Sequence, residues 1–67
     1  MSLVIEVSKP EALKVSELNG KVSFLCDKII EQNDNFIYVP LGGKVIDVLK
    51  IFMQNDINYQ LINEPLL

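Results

Sequence analysis

The 67-residue chain has no arginine, no histidine and no tryptophan, one cysteine and one alanine. Nucleic-acid binders neutralise phosphates with clustered Lys and Arg and read guanine mostly through Arg. Six lysines against nine carboxylates, a net charge of −3, therefore exclude DNA or RNA as an expected partner. One Cys without His excludes a zinc site and leaves no thiol-imidazole pair for nucleophilic catalysis. A lone cysteine also rules out a disulfide within the chain and suits a reducing compartment. Long apolar runs are missing too: Phe36–Val39 is among the longest, whereas a membrane span needs about 20 residues. No secretory pattern opens the sequence, so the expected location is cytoplasmic. Eight Ile, six Asn and six Lys beside the single Ala suggest an AT-rich genome.

What is present describes a small globular protein, 49% hydrophobic and 22% charged, expected to form a single domain over residues 1–67 with 63–67 as a C-terminal tail. Leu3–Val7 is a β-branched run that predicts a strand. Ser8-Lys9-Pro10-Glu11 then has the Ser-x-x-Glu form of a capping box with Pro in the first turn. From there Val15, Leu18, Val22, Leu25, Cys26, Ile29 and Ile30 recur at steps of three and four, predicting a helix that ends near Gln32. Asn19-Gly20 interrupts it. The alternatives are two shorter helices, or paired strands at Lys14–Leu18 and Lys21–Leu25. Asn33-Asp34-Asn35 is a polar turn, and Phe36–Val39 the expected central strand. After Pro40-Leu41-Gly42-Gly43, the positions of Val45, Val48, Leu49, Phe52 and Met53 predict a second helix ending at Asn55-Asp56. Ile57, Tyr59 and Leu61 alternate with Asn58 and Gln60 as a last strand.

These elements predict an α/β fold: a two-layer β-α-β-α-β sandwich with a three-stranded sheet of order 1-2-3. Right-handed crossovers place both helices on one face. The uncovered face is then expected to carry Val4, Glu6, Phe36, Tyr38, Asn58, Gln60 and Ile62, an apolar centre with a polar rim.

Individual residues offer little chemistry. Cys26 on an apolar stripe is expected to be a buried hydrophobe. Gly42-Gly43-Lys44 stands between a strand and a helix, so the amides of Gly43 and Lys44 form a possible anion site, although the full phosphate-loop pattern is absent. Asp27, Glu31 and Asp34 cluster without the looped ligand pattern that calcium needs, and are expected to be solvated. No metal and no cofactor are expected.

The stretch Lys44–Ile62, a helix with Val48, Leu49 and Phe52 running into Asp56-Ile57-Asn58 and a strand, is similar to the second half of ACT regulatory domains. That resemblance implies a ferredoxin-like or ACT-like α+β alternative with a hairpin at Asn19-Gly20, binding small ligands near Gly42-Gly43. The first strand and the Pro-containing helix start resemble the sulfur carriers of the TusA-like group. Their Cys-Pro site is Lys9-Pro10 here, so that activity does not carry over. The expected function is that of a small non-enzymatic protein-interaction domain, a homo-oligomer or a binder of a partner protein through the uncovered sheet face. The alternative is an ACT-like regulatory domain that binds a small ligand.

Overall fold

The computed structural model describes residues 3–63. Strand β1 (Leu3–Ser8) leads into helix α1 (Lys9–Ser16). A 3-10 turn at Ser23–Leu25 precedes β2 (Cys26–Gln32), which is followed by β3 (Asn35–Pro40), α2 (Val45–Gln54) and β4 (Gln60–Asn63). The architecture is α+β: one four-stranded antiparallel sheet of order β2-β3-β1-β4, with two helices against it. Two crossovers are interleaved, since β3 separates β1 from β2 and β1 separates β3 from β4; this is split β-α-β connectivity. The expected order 1-2-3 with three strands is thereby corrected. Of the presumed tail, Asn63 belongs to β4, and 64–67 lie outside the described residues.

The missing strand is β2, which the helical spacing of Val22 to Ile30 had concealed. Ile29 pairs with Tyr38 and Ile30 with Ile37, so the two isoleucines face opposite sides of the sheet. A strand with apolar residues on both faces mimics helical steps of three and four. The first helix ends at Ser16, and the chain then turns through Asn19 and Gly20, at φ 55° and 79°. Left-handed backbone of this kind suits Asn and Gly and halts a helix. The hairpin lies at Asn33-Asp34, not at Asn19-Gly20: both residues have positive φ, 53° and 65°, and they link Gln32 to its partner Asn35. Positive φ at both central positions is the two-residue type I′ turn, whose twist matches that of the strands.

Proline near the start of α1 falls where it was expected, but the Ser8 hydroxyl makes no cap bond. The Glu11 carboxylate accepts instead from the Asn58 amide at 2.9 Å and pairs with Lys14 at 3.1 Å. The Lys14 ammonium also donates to the Asp56 carbonyl at 3.0 Å. Two α1 side chains thus hold the loop between α2 and β4, and Asn58 belongs to that loop, not to a strand.

One core contains Ile5 and Val7 of β1, Ala12 and Val15 of α1, Val22, Tyr38, Val48 and Phe52 of α2, and Ile57. Both helices therefore cover the same sheet face. Met53, expected on the buried stripe, is 65% exposed. On the other face Val4, Ile37 and Val39 form a second buried cluster, with Ile30 and Ile62 packed against it.

Candidate interaction surface

The expected interface residues divide between the two faces of the sheet. Val4 pairs with Ile62 and Glu6 with Gln60, which puts these four together on the face away from the helices. Phe36 and Tyr38 do not join them. They pair with Val7 and Ile5 and point toward the helices, where the Tyr38 ring meets Phe52 edge-on at 5.8 Å. The β3 parity is therefore the reverse of the expected one. Long aromatic side chains fill the deep layer under the helices, whereas the shorter Ile37 and Val39 suffice on the thin face. Glu6 accepts from the Asn35 side-chain amide at 3.3 Å. Together with Asn58 and Gln60 it borders a polar pocket of about 240 Å³. Since Val4 is fully buried and Ile62 half-buried, the bare sheet face offers little exposed apolar surface.

Exposed apolar surface lies on the helix side instead. Helix α1 spans only eight residues and packs over β1 and β3, and Ile29 on the inner face of β2 is left exposed. The result is a groove of about 370 Å³. Phe36, Tyr38 and Ile29 line it from the sheet, Ala12 and Leu13 from α1, and Val22 from the connecting turn. Lys9, Ser16 and Ser23 are its polar groups. Leu13 is 65% exposed and Ile29 45%; Phe24, next to Ser23, is 83% exposed. These three were missed because they fell outside the repeating stripes or on one wrongly called helical. An apolar residue off the stripe was the available signal.

The chemical groups near the groove are quiet. Burial pushes the Cys26 thiol up to about 11, so it remains protonated at neutral pH and is a poor nucleophile. It opens β2, half-buried, rather than sitting on a helix. Burial, followed by the influence of Cys26, pushes the Tyr38 hydroxyl up to about 12. At the candidate anion site, the Lys44 amide already donates to the Leu41 carbonyl at 2.9 Å, closing a turn in which Gly43 has φ 76°. The Lys44 ammonium lies 3.9 Å from Asp47. With one amide committed and a carboxylate nearby, the pair is ill suited to an anion. Among the described residues, no three His, Cys, Asp or Glu side chains are grouped to hold a metal. No helix is long and apolar enough to cross a membrane among them.

The Asn58 amide and, after it, Lys14 hold the Glu11 carboxyl below its ordinary 4.5. The folded state thus binds fewer protons here than the unfolded chain, so Glu11 contributes stability above pH 4.5 that is lost as pH falls through its lowered value. Glu11→Gln is expected to flatten the acid limb of a plot of melting temperature against pH. An unchanged acid limb would assign that dependence to other carboxylates.

Searches of family models, curated proteins and solved structures gave no match to the chain.

Proposed function

We propose that the chain is a small non-enzymatic protein-interaction domain that self-associates through the side of the sheet bearing the β2 groove. The observation that carries this is the set of exposed apolar residues, Leu13, Phe24 and Ile29, at and beside an apolar groove. On so small a domain, such a patch in water favours association. Aromatic residues remain part of the site, because Phe36 and Tyr38 line the groove. Cys26, a free cysteine in a chain with no second one to pair with, suits a reducing compartment such as the cytoplasm.

Sedimentation of the native chain across a wide concentration range is expected to show a monomer–dimer equilibrium. Leu13→Ser with Phe24→Ser, both at exposed positions, is expected to move it to monomer while leaving the circular dichroism unchanged. A native chain that stays monomeric throughout would overturn the proposal.

A second reading is a regulatory domain of ACT-like type that binds a small molecule. It is favoured by the groove volume of about 370 Å³, which falls within the range of ligand pockets, roughly 300–1,000 Å³. The groove is not lined by Gly42 or Gly43, so the ligand would bind away from the turn first considered. A thermal-shift screen with metabolites separates the two: stabilisation by one chemical class favours the ligand, and a melting temperature that rises only with protein concentration favours assembly.

A further inference from the structure

We infer that β2 is the edge at which a second copy of this chain joins the sheet, antiparallel and centred on Ile30; this rests on the self-association proposed above. Among the described residues β2 has a single neighbour in the sheet, β3, and at seven residues it is longer than the described part of the other edge strand, β4, with four. The two-residue turn Asn33-Asp34 makes Gln32 and Asn35 the hydrogen-bonded closing pair. By the period of two, Lys28, Ile30 and Gln32 direct their backbone groups to β3. Ile29 and Glu31 therefore present their N–H and C=O groups to the open edge. Such an edge is a template for another strand unless charge, proline or a bulge blocks it. There is no proline in β2, and its irregularity lies at its start, between Cys26 and Lys28, leaving 28–32 regular. Its charged residues Asp27, Lys28 and Glu31 are of both signs and so block only the registers that oppose like charges.

The side chains select the register. A two-fold axis perpendicular to the sheet pairs residues that share a face, so the pairing is centred on one residue facing its own copy. Centring on Lys28 opposes Lys28 to itself, and centring on Glu31 opposes Glu31 to itself. Centring on Ile29 sets Asp27 against Glu31 twice. Centring on Gln32 sets Glu31 and Ile30 against Asn33 and Asp34 of the turn and forms no strand ladder. Of residues 28–32 only Ile30 therefore leaves no like charges opposed within paired strands: Lys28 faces Gln32, and Ile29 faces Glu31. In that register the outward groups of Ile29 and Glu31 form two hydrogen-bonded pairs, each exchanging two bonds. Ile30, already packed against the Val4, Ile37 and Val39 cluster, would extend it into the cluster of the second copy. On the opposite side the two grooves would meet above the joined strands.

Charge reversal at the axis tests this, because residue 30 is the position that meets itself. The native chain is expected to sediment as a species of twice 7.6 kDa at high concentration. Ile30→Lys and Ile30→Glu are each expected to fold and to weaken the dimer about tenfold or more, and an equimolar mixture of the two to restore it as a heterodimer. Glu31→Pro removes an edge N–H that β3 does not use, so it is expected to give a folded monomer. An unfolded Glu31→Pro variant would show that this amide serves β3 and overturn the inference, as would a mixture no tighter than its components. A native dimer that survives Glu31→Pro but is lost in Leu13→Ser with Phe24→Ser keeps the self-association and overturns the β2 edge. A native chain monomeric at millimolar concentration overturns both.

Discussion

Phe52→Ala is expected to cost about 3–5 kcal/mol, a large part of the roughly 5–15 kcal/mol that stabilises a small domain. The residue is fully buried on α2, and its ring meets Tyr38 edge-on at 5.8 Å and Tyr59 at 5.9 Å. Truncation removes the contacts of one aromatic with two others and leaves a void between α2 and the two central strands. Such a void closes poorly, because Ile5 and Val48 beside it are themselves fully buried and well fixed. Urea melts should show the loss as a lower midpoint with an unchanged slope. Lys50→Ala, at an exposed position on the same helix, is the control and is expected to lie within about 0.5 kcal/mol of native. Equal stability of the two variants would mean that α2 does not cover the sheet through Phe52.

Replacing Phe36 and Tyr38 together by Thr is expected to unfold the protein rather than release a soluble monomer. Were the two rings on the bare sheet face, the substitution would keep β-propensity and only remove sticky area. Tyr38 is instead 4% exposed, under the helices, and Phe36 is half-buried beside it. Large-to-small changes of this kind cost about 3–5 kcal/mol for one buried aromatic. The partial burial of Phe36 adds a smaller increment, and neighbouring cavities are not strictly additive. Far-ultraviolet circular dichroism and the dispersion of amide proton resonances should both collapse at 25 °C. A double variant that remains folded would return Phe36 and Tyr38 to the surface and reverse the parity of β3.

That parity was not legible from β3 alone. Phe36, Ile37, Tyr38 and Val39 are all apolar, so alternation gives no sign of which pair faces inward. The choice depends on the antiparallel pairing with β1, which opposes Ile5 to Tyr38 and Val7 to Phe36. Nor was β2 legible. Ile29 and Ile30 are adjacent and both contact apolar surface, a pattern that local periodicity assigns equally well to a helix. The turn at Asn33-Asp34 was visible as polar residues, but its role as a hairpin required a strand before it. Of the site, Phe36 and Tyr38 were marked in the sequence as the aromatic element of a surface, yet on the wrong face. Leu13, Phe24 and Ile29 acquired meaning only once the fold placed them at and beside one groove between α1 and the sheet.

What the sequence determined by itself is local. The β1 run, the proline-containing start of α1, the β3 run and the Val45–Phe52 stripe of α2 each follow from neighbours within a few residues, through propensity, turn chemistry and 3.6-residue spacing. The absence of Arg and His likewise limits chemistry without any folding. Tertiary structure alone decided the strand order β2-β3-β1-β4, the face of each β3 side chain and the existence of the groove. Apart from the local β2–β3 hairpin, these depend on pairings of β1 with β3 and β4, between residues far apart in the chain, such as Ile5 with Tyr38. The favourable free energy there comes from excluding water between surfaces that meet only in the folded chain, and no local pattern encodes it.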